Sequence, residues 1–342
     1  MLIDRRDRRP ILLTNARVID PSRDLDFPGD VLIADGAIRE AKRGIGAAGV
    51  PEGAEIVECR GNIVAPGLID MRAFIGEPGA EGRESIASAS QAAAAGGVTT
   101  IVCQPETEPA IDDPTIVDYI QRRARDTAIV HVHAMAALTK GLKGQEMTEI
   151  GLLKAAGAVA FTDGMRSVIN AQVMRRALIY ARDFDVLIVH HTEDPDLTGE
   201  GVMNEGEFAS RLGLIGVPKI AETIMLERDM RFVALTDGRY HAASVTCPES
   251  LEVLRRAKPK LPMCLEMITR DPLKVPYKTD KYWASFGGRD AARVAAFEKG
   301  LLSKASAEDL PRVSALGLDK MQEREDENVR RSTAYARESL KL

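Results

Sequence analysis

The fold is decided by the stretch Ile63-Val64-Ala65-Pro66-Gly67-Leu68-Ile69-Asp70-Met71-Arg72-Ala73-Phe74-Ile75-Gly76-Glu77-Pro78-Gly79. It is an apolar run that ends in a turn rich in charge and glycine. A continuous apolar strand between Pro-Gly signals is typical of a parallel sheet that is covered on both faces. Barrel folds place their chemistry at the carboxyl ends of such strands. We therefore predict a buried strand over residues 63–71 that delivers side chains to the rim of a site.

Upstream of this stretch, residues 11–62 alternate between short apolar segments and turns. Asp35-Gly36 separates two of these segments. Asp-Gly is a strong hairpin signal, because both central residues of a type I′ turn adopt positive φ. We predict a small β-sheet module over residues 1–62.

Downstream, apolar runs alternate with helical patterns at the repeat length of a βα unit. The predicted strands are 63–71, Thr99–Gln104, Ala128–Ala134, Ala158–Thr162, Val186–His190, Tyr240–Thr246 and Met263–Ile268. The predicted helices are Ser85–Ala95, Asp113–Arg123, Thr148–Ala156, Asn170–Phe184 and Pro248–Ala257, with Asn170 as an N-cap. This alternation favours an α/β fold of the TIM-type (β/α) barrel class, with a doubly wound sheet as the alternative. Seven strands are one fewer than barrel closure requires, so we predict an incomplete or hybrid barrel.

Composition limits the class of protein. The 342 residues are 45% hydrophobic, which is typical of a soluble globular protein. The net charge of -5 argues against a nucleic-acid partner, because phosphate binding needs a basic surface. Residues 1–9 lack the apolar core of a secretory signal, and no apolar run reaches the length of a membrane span. The four cysteines follow no metal-binding spacing, so we expect reduced, mostly buried thiols and a cytoplasmic location.

The quoted stretch resembles the first barrel strand of the dihydroorotase branch of the amidohydrolases. The motif of that family runs Pro-Gly-Leu-Ile-Asp-Met-His-x-His-x-Arg-Glu-Pro-Gly. The resemblance continues to about Lys258, through Gly97-Val98-Thr99-Thr100, Gly141-Leu142-Lys143-Gly144 and His191-Thr192-Glu193-Asp194. It implies an amidohydrolase-like barrel portion over residues 63–257 and a zinc-dependent cyclic amidohydrolase ancestry.

Most residues that the resemblance assigns to metal and substrate are replaced in this chain. Arg72 and Phe74 stand in place of the first two metal histidines, and Ser244 stands in place of a later one. Gly76 replaces the substrate-binding arginine, and Glu106 replaces a substrate-binding asparagine. By resemblance, the site is therefore degenerate at these positions.

Two metal-ligand positions survive. Asp163 matches the carboxylate ligand and His191 matches a histidine ligand. Catalytic zinc sites usually use three protein ligands, whereas Phe74 offers no donor and Arg72 brings a permanent positive charge. We therefore assign no catalytic residue and expect no cofactor, or zinc if the protein is active. We also hypothesise that Arg72 neutralises the remaining carboxylate, in a charge cluster that includes Glu77.

A separate His-x-His motif occurs at His131-Val132-His133. Side chains two residues apart share one face of a strand, so both rings could bind one metal ion. The pair lies at the start or middle of a predicted strand, whereas ligands in barrels lie at the carboxyl ends. We predict packed or hydrogen-bonded histidines here, with metal binding as the alternative.

Past Lys258 the resemblance changes. Residues 265–276, with Lys281-Tyr282-Trp283, resemble the C-terminal end of sugar phosphate isomerase/epimerase barrels. By that resemblance Glu266 is a metal-binding glutamate. We predict an isomerase-like barrel end and C-terminal helices over residues 258–342. Whether this chimeric sequence is natural, engineered or an assembly artefact stays open.

The resemblance implies three alternative functions. The preferred hypothesis is a catalytically degenerate pseudo-dihydroorotase that acts as a structural partner of aspartate carbamoyltransferase in pyrimidine biosynthesis. The second is an active zinc-dependent dihydroorotase that interconverts carbamoyl aspartate and dihydroorotate, and the third is a sugar phosphate isomerase/epimerase. We also expect a homo-oligomer.

Overall fold

A computed structural model describes residues 9–257, 290–302 and 316–338. Short strands come first in the chain, and βα repeats follow. Two compact units divide it: residues 1–137 with 148–162, and residues 138–147 with 163–342. The strands are β1 (Ile11–Asp20), β2 (Leu25–Ala34), β3 (Ala37–Lys42), β4 (Glu55–Glu58), β5 (Ile63–Val64), β6 (Leu68–Ala73), β7 (Val98–Cys103), β8 (His131–Ala137), β9 (Ala160–Thr162), β10 (Leu187–His191), β11 (Met203–Asn204), β12 (Gly216–Val217) and β13 (Arg239–Ala243). The helices are α1 (Ile45–Ala48), α2 (Ile86–Ala95), α3 (Pro114–Thr127), α4 (Ile150–Ala155), α5 (Ala171–Asp183), α6 (Pro195–Thr198), α7 (Glu207–Leu212), α8 (Ile220–Thr236), α9 (Pro248–Ala257), α10 (Ala291–Leu302) and α11 (Leu318–Glu338).

The first unit begins with a small β-sheet in the order β3-β2-β1-β4, with β5 also paired to β1. Strands β2 and β3 are antiparallel and meet at Asp35 and Gly36, whose φ values of 53° and 73° are those of a type I′ turn. The predicted hairpin and the presence of a small N-terminal sheet are therefore confirmed, and β5 extends this sheet past the predicted boundary at residue 62. Ala16, Val18 and Val31 form the buried core of this sheet.

The same unit contains four neighbouring parallel strands, β6 to β9. The prediction of one buried strand over residues 63–71 is wrong in two respects. Ile63–Val64 pair with β1, and the chain turns at Pro66-Gly67 before β6 begins. Leu68 and Ile69 are 62% and 63% exposed, because β6 pairs only with β7 among the described strands.

The second unit contains the parallel pair β10 and β13, with α5 and α8 packed beside it. Helix α5 begins where the sequence predicts, since the Asn170 side chain accepts hydrogen bonds from the backbone N–H groups of Gln172 and Val173. Parallel strands that alternate with helices, as in both units, are the βα repeats of a TIM-type α/β fold.

Several predictions concern other parts of the chain. The predicted strand Met263–Ile268 lies outside the described residues, whereas α10 and α11 are described within the segment predicted to hold C-terminal helices. Cys103 and Cys247 are buried and Cys59 is half-buried, and all three are free thiols. Burial raises the pKa of Cys103 to about 12. No helix among the described residues is both long and apolar enough to cross a bilayer.

Candidate functional site

Most of the predicted site residues follow or end parallel strands, as sites in barrel folds do. These positions are Arg72 within β6, Phe74 directly after it, Glu106 in the loop after β7, Asp163 directly after β9, His191 at the end of β10 and Ser244 directly after β13. Glu266 lies outside the described residues. The strand-end placement was thus predictable from the sequence.

The loop after β6 has no room for a side chain at Gly76. A Cβ atom built at Gly76 would overlap the backbone oxygen of Ala80. The Ala80 N–H also donates to the Gly76 carbonyl at 2.5 Å, which closes a tight turn. In this loop conformation an arginine cannot occupy position 76, where the family motif places its substrate-binding residue.

Glu77, the next residue, is buried and holds this loop against two helices. Its carboxylate accepts hydrogen bonds from the Ile86 N–H at 2.9 Å, from Arg123 Nε at 2.5 Å and from Tyr119 Oη at 3.2 Å. Burial raises the pKa of Glu77, but these hydrogen bonds and the Arg123 charge outweigh burial, so the net pKa is lowered. Glu77 thus forms a structural ion pair with Arg123, and its predicted place in a cluster around Arg72 stays a prediction.

Phe74 stands where the motif has a metal histidine, and it contacts a cation of the protein itself. The Arg83 guanidinium carbon lies 4.4 Å from the centre of the Phe74 ring, which is cation–π geometry. The neighbouring Arg72 backbone N–H donates to the Asp70 carboxylate at 2.9 Å. Neither position 72 nor position 74 supplies an electron-pair donor for a metal ion.

Asp163 is 1% exposed, and both of its oxygens are used. One oxygen accepts the Thr139 N–H at 2.9 Å, and the other accepts the Thr139 hydroxyl. Burial raises the pKa of this carboxyl, and the Thr139 hydrogen bonds only partly offset burial. The Thr139 hydroxyl in turn accepts the Gly144 N–H at 2.8 Å, which orders the loop over residues 139–144.

His191 is 8% exposed, and its Nε2 lies 3.8 Å from the Glu193 carboxylate. The preceding His190 is held by its neighbours. The Val168 N–H donates to His190 Nε2 at 2.8 Å, so Nδ1 carries the proton and donates to Asp229 at 2.6 Å. His190 is therefore a buried residue whose two ring nitrogens are both engaged, with no lone pair left for a metal.

Asp229 is fully buried and joins His190 to two further side chains. Its carboxylate accepts Tyr240 Oη at 2.7 Å and Arg228 Nε at 2.9 Å. Burial raises the pKa of Asp229, but the His190 and Tyr240 hydrogen bonds and the Arg228 charge outweigh burial. The net pKa is therefore lowered. This network fixes β10 and β13 against α8.

The turn between β13 and α9 is held by a second buried carboxylate. Glu222, on α8, accepts the Thr246 N–H at 3.0 Å and the Thr246 hydroxyl at 2.6 Å. Ser244, in the same turn, has a φ of 58°. Ser244 thus lies in a strained, anchored turn where the resemblance expects a metal histidine.

His131 and His133 are both exposed, at the amino end of β8. In the part of the chain that the structure describes, neither imidazole has a hydrogen bond or an ion pair. The prediction of packed or hydrogen-bonded histidines is therefore wrong. They are exposed because the strand extends beyond the buried segment Ala134–Ala137.

Comparisons with known proteins identify the relatives of this chain. A sequence profile of the dihydro-orotase-like family matches residues 61–250. The dihydroorotase of Pelobacter propionicus is 44% identical over 248 residues, which are 72% of this chain and 58% of that protein. The dihydroorotase of Solibacter usitatus is 39% identical over 324 residues, which are 92% of this chain and 74% of that protein. This chain belongs to the dihydroorotase-like family.

The solved structures that match confirm the fold class. L-hydantoinase (dihydropyrimidinase) from Arthrobacter aurescens superposes with a TM-score of 0.61 at 20% identity, over 73% of this chain and 56% of that one. D-hydantoinase from Thermus sp. gives a TM-score of 0.56 at 20% identity, over 73% and 55% of the two chains. The predicted TIM-type α/β class is thus correct. This dihydroorotase-like chain spans 58% of the length of the first curated relatives it matches.

Zinc, which the family implies, does not fit the donors that the described residues offer at the family's metal positions. Positions 72, 74 and 244 carry no imidazole, which leaves Asp163 and His191, and Thr139 donates to both oxygens of Asp163. Among residues 9–257, 290–302 and 316–338, no group of three or more His, Cys, Asp or Glu side chains is placed to hold a metal ion. Two ligands are fewer than a catalytic zinc site requires.

Sequence reasoning missed the residues that hold the buried carboxylates. Thr139 binds Asp163, Arg123 binds Glu77, and Tyr240 binds Asp229. The position of Thr139 just after β8 was an available signal, because polar residues at strand ends face the site in barrels. Arg123 lies on a helix 46 residues from Glu77, and no local pattern links the two.

Proposed function

We propose that this protein is a catalytically degenerate dihydroorotase homologue that acts as a structural partner of aspartate carbamoyltransferase in pyrimidine biosynthesis. The observation that carries this proposal is the tight turn at Gly76. The loop not only lacks the motif arginine but is closed by Ala80 against any side chain there. Another residue can take over the role of a single lost side chain. A closed loop also removes the space that such a side chain would occupy.

The donor set supports the same conclusion. Positions 72 and 74 carry a cation and an aromatic ring, and the ring is itself covered by the Arg83 guanidinium. Thr139 donates hydrogen bonds to both oxygens of the Asp163 carboxylate. Hydrolysis of a cyclic amide needs an activated water and stabilisation of a developing oxyanion, and a metal ion supplies both in metal-dependent hydrolases. Within residues 9–257, 290–302 and 316–338, no three His, Cys, Asp or Glu side chains are grouped to hold such an ion, which supports the proposed degeneracy.

Zinc content and turnover test the degeneracy. We expect purified protein to contain well below one zinc per chain by mass spectrometry, and to interconvert carbamoyl aspartate and dihydroorotate no faster than buffer. About two zinc ions per chain together with turnover would establish the alternative, an active enzyme. The curated relatives named dihydroorotase, at 39–44% identity, are the observation that favours this alternative.

Restoring the histidines gives a sharper test. An Arg72→His, Phe74→His double variant restores the two imidazoles of the motif. We expect it to bind more zinc than the parent, because imidazole nitrogen is a zinc ligand whereas guanidinium and phenyl groups are not. It should remain inactive, because Gly76 still excludes the substrate-binding arginine. An Arg23→His variant, at a side chain that is 75% exposed, adds an imidazole outside the motif and serves as the control for nonspecific binding.

Association with aspartate carbamoyltransferase is tested by co-expression and size-exclusion chromatography with light scattering. We expect a joint complex whose mass exceeds that of either protein alone. A chain that elutes separately from the transferase would contradict the partnership while leaving the degeneracy intact. The same experiment gives the mass of the isolated chain and so tests the expected homo-oligomer.

The proposed isomerase-like segment is a separate question. Glu266 and the segment around it lie outside the described residues, and the alignment with the Solibacter usitatus relative covers 92% of this chain and so extends past residue 258. Assays with ketose and aldose phosphates in the presence of Mn²⁺ or Mg²⁺ test the isomerase hypothesis. We expect no conversion.

A further inference from the structure

We propose that His131 and His133 form a bidentate surface site for a late first-row divalent cation such as Ni²⁺, Cu²⁺ or Zn²⁺. The two residues open β8, and their exposure alternates with a half-buried Val132. Alternation places both imidazoles on one face of the strand. At a rise of about 3.3 Å per residue their Cα atoms are roughly 6.6 Å apart, a span that two imidazoles can bridge through one ion.

The surroundings of the pair leave the ring nitrogens available. In the described part of the chain neither imidazole has a hydrogen bond or an ion pair, in contrast to His190, whose two nitrogens are both engaged. The neighbours on β7 are Thr100 opposite His131 and Val102 opposite His133. Neither neighbour carries a positive charge that would repel a cation.

A cavity of about 330 Å³ adjoins the pair, and its other lining residues are Gln121, Ala124, Arg125, Val130, Val132 and Gly157. Arg125 is the one cationic side chain in this lining. Its Nε lies 3.3 Å from the Asp126 carboxylate, so the local charge is balanced. The cavity has room for the water molecules that complete the coordination of an ion held by only two protein ligands.

Ligand chemistry selects the class of metal. Neutral imidazole favours Cu²⁺, Ni²⁺ and Zn²⁺ over Mg²⁺ and Ca²⁺, which prefer oxygen ligands. The pair is also distinct from the family's metal positions. It lies at the amino end of β8, whereas Thr139, which binds Asp163, follows the carboxyl end of that strand. Positions 133 and 139 are six residues, or about 20 Å of extended chain, apart.

Titration of untagged full-length protein with NiCl₂ in a calorimeter tests the site. We expect one Ni²⁺ per chain. His131→Gln and His133→Gln should each weaken binding at least about tenfold, and the double variant should abolish it. His241→Gln and His191→Gln each remove one imidazole but leave the pair intact, so both should bind Ni²⁺ as the parent does. The second variant separates this site from the remnant of the family site.

A second measurement needs no variant. Ni²⁺ should protect both His131 and His133 of the parent chain from diethyl pyrocarbonate, as read by mass spectrometry, and Mg²⁺ should not. Parent-like binding by the double variant, loss of binding in His191→Gln, or protection of only one of the two rings would each overturn the proposal.

Discussion

Replacing Glu77 by glutamine should destabilise the protein far more than the same change in an exposed ion pair. Glu77 is 2% exposed and accepts three hydrogen bonds, from Ile86, Tyr119 and Arg123. Glutamine keeps the shape but removes the charge and turns one acceptor into a donor. The buried Ile86 N–H and the Tyr119 hydroxyl then compete for one remaining oxygen.

The magnitude follows from these contacts. Loss of charge weakens each retained hydrogen bond by about 1 kcal/mol, and a buried donor left without an acceptor costs about 1–3 kcal/mol. Arg123 is 43% exposed and regains water, which reduces the total. We therefore expect the free energy of unfolding to fall by about 2–3 kcal/mol. The control is Glu146→Gln. Glu146 pairs with Lys140 at 2.5 Å, but the side chains are 69% and 48% exposed, so the cost should stay below about 1 kcal/mol.

Urea unfolding followed by circular dichroism gives both free energies, and hydrogen exchange at the Ile86 amide reports the local bond. The pKa of Glu77 is lowered in the folded protein, so its stabilisation is present above the unfolded-state pKa and disappears as the pH falls through the folded-state pKa. The difference between parent and Glu77→Gln should thus be largest near neutral pH and shrink in acid. A difference as small as that of Glu146→Gln, or one that does not change with pH, would refute the reasoning.

Two further substitutions probe the same framework. Gly76→Ala should lower the free energy of unfolding, measured by urea titration, by about 1–3 kcal/mol, because its Cβ would overlap Ala80. The control is Gly82→Ala, whose Cβ meets nothing within 4 Å, so the free energy of unfolding should be nearly unchanged. Asp229→Asn should lower the free energy of unfolding by about 3–5 kcal/mol, because it removes one partner from a buried charged network. The control is Asp183→Asn, in an ion pair whose aspartate is 58% exposed, and it should leave the thermal midpoint almost unchanged.

Local chemistry decided which parts of the fold could be predicted from sequence. The Asp35-Gly36 hairpin and the Asn170 cap each depend on residues within a few positions of one another, so their signals are in the sequence itself. The strand ends that carry Asp163 and His191 were also found, because hydrophobic runs stop where a site begins. Short-range physics was sufficient in these cases.

Long-range pairing was not predictable. The apolar pattern of residues 68–71 is that of a covered strand, but exposure depends on which strands lie alongside, and β6 has β7 as its one described neighbour. The histidines at 131 and 133 were expected to pack for the same reason. The sequence shows that a residue suits a strand. It does not show how far the neighbouring strands and helices extend along that strand.

Residues 67–79, which include β6 and the loop after it, contain both residues that maintain the fold and residues that would serve a ligand. Gly67 and Gly79 match the family motif, and a Cβ at either would overlap Thr99 or Glu108 respectively. Glu77 also matches, and its three hydrogen bonds are all internal. Changing these residues would cost free energy in the chain by itself, whether or not any ligand binds.

The motif positions that differ are those whose partners would be a metal ion or a substrate. At two of these positions the present residue has a close neighbour, with Arg83 on the Phe74 ring and Ala80 against Gly76. Under the proposed degeneracy, restoring activity would need more than the missing side chains. Gly76→Arg would have to reopen a turn that is closed by the Ala80 to Gly76 hydrogen bond, so the loop has to be rebuilt before a substrate-binding arginine can be placed in it.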